Sequence, residues 1–136
     1  MKFFTYDLKT DEGSKETNFR LTSANSMEIE KKNNCSLLDY INDINMTRCV
    51  NLLRYMRKGE KESFNEKDAC DLFDEMADCG LALEDIYMDI IFPCCVHSGL
   101  IKEDDYKAFL KAREVARENQ MASIEEARST KESQNK

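Results

Sequence analysis

The only histidine of this 136-residue chain is His97. Cys94 precedes it by one helical turn on the same side, and Cys70 and Cys79 would be needed to complete a zinc tetrahedron. The spacing argues against that site. Structural zinc sites pair closely spaced ligands at both ends, whereas Cys70 and Cys79 stand nine residues apart. Two packed thiols and an imidazole facing the last carbonyls of a helix account for the same residues. A Cys94–His97 nucleophile pair fails too, because one turn of helix supplies no oxyanion hole and no third group to orient the base. Asp7, Asp11 and Gly13 resemble part of a calcium loop, but Lys9 takes the third ligand position, Glu12 the place of the invariant glycine, and no helix leads in. There is no Gly-rich phosphate loop and no serine nucleophile elbow. From Glu66 to Asp89, nine carboxylates accompany one lysine. Their positions fall on the outward faces of two helices, where a solvated surface is the ordinary reading. The residues predict no enzyme, no cofactor and no metal.

Composition points the same way. Acids outnumber lysine plus arginine 27 to 20, for a net charge of −7. A nucleic-acid binder needs clustered positive charge to displace counterions, so that class is excluded. No apolar run approaches the ~20 residues that span a bilayer. Met1-Lys2-Phe3-Phe4 turns polar at Thr5 and lacks the apolar stretch of a signal peptide, so the expectation is a soluble protein kept in the compartment that made it. Apolar residues at 41% can build a core, and a chain of this length buries roughly two thirds of its unfolded surface without staples. The six cysteines, Cys35, Cys49, Cys70, Cys79, Cys94 and Cys95, are therefore expected reduced. Cys49, Cys70 and Cys94 sit among apolar neighbours and would act as small hydrophobes.

The elements that must position these residues are mostly helical. Residues 2–22 alternate as a β-hairpin: Phe4, Tyr6 and Leu8 on one strand, Thr17, Phe19 and Leu21 on the other, with turn chemistry from Thr10 to Ser14 and Gly13 free to take a positive φ. Its buried face is expected at Phe4, Tyr6, Phe19 and Leu21. Thr22 or Ser23 caps a helix from Ala24 to about Lys32 with Met27 and Ile29 inward, and Asn33-Asn34 stops it. Ser36 opens a short helix. A third, Met46 to Lys58, lines up Cys49, Leu52, Leu53 and Met56, and Gly59 closes it. After the loop Glu60–Ser63, either Ser63 with Glu66 or Asn65 with Asp68 boxes the start of a helix that runs to Cys79, burying Ala69, Leu72, Phe73, Met76 and Ala77 before Gly80. Leu83 to His97 is apolar nearly all round and belongs in the centre, kinked or broken at Pro93. The last helix begins at Glu103-Asp104-Asp105 and shows Tyr106, Phe109 and Leu110. Beyond Glu118 apolar positions thin to Met121 and Ile124. The expectation is an α+β, mostly α domain over 1–117, a hairpin packed on a bundle of about five to six helices spanning 24–117, then a polar helical or frayed tail over 118–136.

Phe19-Arg20-Leu21-Thr22, running through Glu28-Ile29-Glu30-Lys31-Lys32 and followed after a short loop by Ser36-Leu37-Leu38-Asp39, resembles the tail assembly chaperones of long-tailed phages of Gram-positive bacteria. In those proteins a strand ending in Arg-Leu-Thr feeds a helix of Glu-Lys-Lys type, then a loop and a Leu-rich helix. Leu52 to Gly59, the helix from Asn65 to Glu75, and Leu83-Glu84-Asp85-Ile86 through Ser98-Gly99 stand where such proteins place their remaining helices. The resemblance covers roughly residues 2–110. Cys35 and Asn33-Asn34 depart from it, which bears on the shape of that loop.

The resemblance implies a cytoplasmic protein of the bacterial host that binds the tape measure protein during tail morphogenesis and keeps it soluble. It also implies help in recruiting the major tail tube protein through a frameshifted, longer variant, and absence from the finished virion. Met27, Leu52, Tyr55, Met56, Phe73, Tyr106 and Phe109 are the expected partner-binding residues, since flexible methionines and aromatics suit a groove that takes helices. The hairpin's free edges make a homo-oligomer plausible. The competing reading is an acidic regulatory protein that mimics DNA with the carboxylates of Glu66–Asp89 and inhibits a host nucleic-acid-binding protein.

Overall fold

The computed structural model describes residues 3–59 and 61–134, with side chains as far as residue 125. The expected hairpin start at Lys2, Glu60 of the loop Glu60–Ser63, and the last two positions of the tail lie outside the described residues. The fold is α+β and mostly α, a two-stranded antiparallel hairpin followed by helices. Two units divide the chain, Met1–Lys102 and Glu103–Lys136. That boundary falls ahead of the expected domain end at Arg117.

In the first unit, β1 (Phe4–Thr10) pairs with β2 (Gly13–Phe19) in a register that sets Phe4 opposite Phe19 and Thr10 opposite Gly13. Asp11 and Glu12 alone form the turn, and Gly13 takes a φ of 130°, open to glycine because it carries no Cβ. The buried face differs from expectation: Leu8, Thr17, Phe19 and Leu21 are buried, while Phe4 and Tyr6 are half-buried. The exit of the hairpin is fastened to two helices. Arg20 N–H donates to the Met56 carbonyl (2.9 Å), the Arg57 guanidinium to the Asn18 carbonyl (2.7 Å), and Leu21 N–H to Ser98 Oγ (3.3 Å).

Helix α1 (Ser23–Asn33) starts where Thr22 Oγ1 accepts the Asn25 N–H and stops at Asn34 in the left-handed conformation. Its inward face carries Ile29 and Ser26, and Met27 is 53% exposed, which corrects the expected pairing of Met27 with Ile29. Residues two apart lie about 200° apart around a helix and cannot share a face. Ser26 is tolerated inside because its hydroxyl donates to the Thr22 carbonyl. Helix α2 (Leu37–Asn42) is capped by Ser36, and the Glu30 carboxylate accepts the Leu37 N–H.

Helix α3 (Met46–Lys58) begins at Asn45, whose side chain accepts the Arg48 N–H, and buries Cys49, Leu52, Leu53, Tyr55 and Met56 completely. Helix α4 (Glu66–Asp78) uses the Asn65–Asp68 box, not Ser63. It buries Ala69, Leu72 and Met76, leaves Phe73 half-buried and Ala77 exposed, and ends before Gly80 at φ 97°.

From Leu83 to His97 the helix is continuous but not uniform: α5 (Leu83–Ile86), a π-helical turn (Tyr87–Ile91), then α6 (Phe92–His97). Asp85 caps it by accepting the Ala82 N–H. Of the kink or break expected at Pro93, a break does not occur: the helix continues through a widened turn just before the proline, where the Phe92 N–H reaches back to the Tyr87 carbonyl. Of residues 86–92 only Asp89 is exposed, so the segment is central, as its apolar composition requires.

The second unit is α7 (Glu103–Gln134), a single helix, so the described part of the tail expected as helical or frayed is helical. Tyr106, Phe109, Leu110 and Arg113 are half-buried, and residues 114–125 are exposed throughout. Among the described residues, no helix is long and apolar enough to cross a membrane.

Candidate functional site

The sequence-predicted partner residues do not form one surface. Leu52, Tyr55 and Met56 are 0% exposed, gathered inside α3, so they hold the core and reach no partner while the domain is folded. Their i, i+3, i+4 spacing is the signature of the buried stripe itself, which is why a reading for apolar residues selects them. Phe73 is half-buried on α4, Met27 is exposed on α1, and Tyr106 and Phe109 are half-buried on α7, one turn apart in the second unit.

The thiols and His97 are likewise dispersed. Cys49, Cys94 and Cys95 are fully buried, Cys35 and Cys79 half-buried, and Cys70, expected among apolar neighbours, is exposed. Burial pushes Cys49 up to about 12 and Cys94 up to about 11, away from the thiolate needed for nucleophilic or metal chemistry. His97 is exposed beside the Phe4 ring, 6.4 Å between centroids. No three His, Cys, Asp or Glu side chains gather at metal-binding spacing among the described residues. Partial burial, reinforced by Asp85, holds the Asp89 carboxyl above its usual range. The phenol of Tyr6 is raised by burial and by Asp89 and Asp85. Asp85 itself is committed to capping α5.

The surface feature with both shape and chemistry lies where α3 and α4 pack together. Beside the buried row of α3 runs a second row, Met46, Val50 and Arg54 at i, i+4 and i+8, with Thr47 and Asn51 next to it. Together with Glu66 and Cys70 of α4 these enclose an open cleft of about 410 Å³. Met46 is 45% exposed and Val50 half-buried, so the floor is apolar and partly wet. Arg54 is fixed at the rim. Its Nη2 donates to Asn51 Oδ1 (3.1 Å), Asn51 Nδ2 donates to Tyr40 Oη (2.9 Å), and the guanidinium lies 4.8 Å over the Tyr55 ring. Its Nε is buried without a hydrogen-bond partner. On α4, Glu66, Cys70 and Asp74 follow one another at four-residue spacing, and neither carboxylate has a hydrogen-bond or ion-pair partner among the described residues. Lys67 is engaged with Asp71 at 3.2 Å.

Two other clefts are lined mostly by charged and polar residues. One, about 250 Å³, lies between β2 and α4 and is bridged by Lys15 and Glu75 at 3.0 Å, with Arg57 stacked over Phe64. The other, about 650 Å³, sits under the hairpin turn beside Asp78 and Cys79. The first keeps Phe64 and Leu72 among charged walls, and the second is polar throughout apart from Cys79.

Sequence reasoning passed over Met46 and Val50 as surface residues and read Cys70 as a packed thiol. The available signal was the width of the apolar face of α3, which extends one row beyond what a single buried stripe uses. Comparison with protein families, curated proteins and solved structures finds no match for the chain.

Proposed function

We propose that this chain is a phage tail assembly chaperone that binds the tape measure protein, keeps it soluble and helps recruit the major tail tube protein, through an extended variant, without remaining in the virion. The observation that carries the reading is the open, apolar-floored α3–α4 cleft on a strongly acidic domain. A cleft of this kind covers the apolar stripe of a helix, while the surrounding charge keeps the complex dispersed. The segments on which the resemblance rests add support. Phe19 ends β2 and Arg20-Leu21-Thr22 lead directly to the cap of α1, α1 carries the Glu-Lys-Lys end, Asn34 stops it, and Ser36 caps α2.

Co-expression tests it. The tape measure protein alone should be insoluble, and with this chain it should remain in solution as an isolable complex. Insoluble tape measure protein in the presence of well-folded, abundant chain would overturn the reading. Neighbouring genes give an independent check, with a major tail protein upstream and a very long helical protein downstream expected. The unpartnered carboxylates Glu66 and Asp74 favour a second reading, inhibition of a host DNA-binding protein by phosphate mimicry. Its mark would be binding to such a protein that DNA displaces.

A further inference from the structure

We infer that the α3–α4 cleft docks an amphipathic partner helix whose apolar stripe seats on Met46, Val50 and Cys70 and whose edge toward α4 carries lysine or arginine. This rests on the chaperone reading, and it names the surface and the chemistry of the segment bound.

Length and shape come first. Met46 to Arg54 is eight residue steps along α3, about 12 Å at 1.5 Å per step, so the cleft receives about two turns of a helix. Two turns present apolar side chains at i, i+3 or i+4, and i+7, three anchors for a floor of three apolar residues. Met46 is suited to the floor because its thioether chain repacks around different side chains.

Charge decides the edge. On the α3 side the guanidinium of Arg54 is held by Asn51 and the Tyr55 ring. On the α4 side Glu66 of the cleft wall and Asp74, two turns further along the same helix, have no hydrogen-bond or ion-pair partner among the described residues. A partner with acids along that edge meets like charge, whereas one with lysine or arginine completes the pairs. Rim charges of this sort select partners and set encounter rates more than they add affinity.

The test uses the full chain and two helical peptides of about 18 residues, long enough to hold a helix. Both carry a Leu/Met stripe, one with lysines and one with glutamates along the same edge. Binding is read by fluorescence anisotropy and by the rate of alkylation at exposed Cys70, mapped by mass spectrometry. The lysine-edged peptide should bind about tenfold more tightly and slow alkylation of Cys70. Val50→Glu should abolish binding of both peptides. The exposed double change Glu66→Lys with Asp74→Lys, which leaves the core untouched, should reverse the preference. Equal binding of the two peptides, no binding at all, or unchanged preference in the double variant would overturn the inference. The chaperone reading is judged separately. If the wild-type chain and both variants keep the tape measure protein soluble equally well, the cleft falls and the chaperone stands. If the peptides behave as expected while the wild-type chain leaves the tape measure protein insoluble, the chaperone falls and the cleft stands.

Discussion

Gly59 has a helical φ of −59°, a conformation open to every residue, so space and not backbone freedom explains its small size. A Cβ added there would collide with the Arg20 carbonyl, at the point where Arg20 N–H bonds to Met56 and the hairpin exit crosses the end of α3. Alanine at a helix end ordinarily gains a few tenths of a kcal/mol over glycine. Here the obstructing atoms are backbone and cannot rotate away, so Gly59→Ala should destabilise by about 1–3 kcal/mol in denaturant unfolding. A neutral or stabilising result would show that the crossing yields. The buried thiols make a second prediction. Cys49 and Cys94 are pushed up from 9.0 to about 12 and about 11 because burial penalises the thiolate. Above pH 9 the unfolded chain releases protons that the folded chain still holds, so stability is retained below pH 9 and falls as pH climbs toward 11. Unfolding midpoints measured from pH 7 to 10.5 should show that decline, and a flat profile would contradict it. Side-chain placement was legible in the sequence wherever several residues voted together, as with Cys49, Leu52, Leu53 and Met56. It was lost where one residue was read alone. Met27 looked buried by type, yet the helical period sets it opposite Ile29.

Helix ends were the most readable elements, because caps are local chemistry. Thr22, Ser36 and Asn65 each accept a backbone N–H three residues on, and Asn34 and Gly80 supply the left-handed stops. Sequence left Ser63 and Asn65 equally entitled to start α4, and the reciprocal Asn65–Asp68 bonds decide between them. Asn65→Ala should therefore cost about 1 kcal/mol, and Ser63→Ala no more than about 0.5 kcal/mol, in paired thermal melts. The reverse order would mean that α4 starts two residues earlier. Strand alternation was readable as well, but which residues of the inward face bury deepest was not. Leu8 is covered and Tyr6 only partly so, since that depends on where helices later in the chain pass over the hairpin. Pro93 was recognised as a disturbance. The form it takes, a π turn one step earlier, depends on tertiary packing that holds the central segment helical in spite of the proline.

For the molecule as a whole, the sequence conveyed class and charge better than the site. An α+β, mostly helical, acidic chain follows from pattern and composition. The cleft does not, because it is made by two helices meeting and no local window of sequence contains both walls. The division into units falls at the start of α7, which the sequence placed at Glu103, although the sequence counted that helix as far as Arg117 within the domain. Residues 118–125 are exposed along that helix, so a chain ending at Arg117 should melt within a few degrees of the full-length protein. A drop of 10 °C or more on that scale would assign the removed residues to the core. The π turn has one further consequence, for how this fold tolerates gain and loss of residues. A π turn spaces the α segments on either side as an α-helix would with one residue spliced in, and Asp89, its exposed member, is the residue least tied to the core. A kindred sequence without the proline can drop that residue and still present Ile86 and Phe92 to the same neighbours, so chains differing by one in length share one interior.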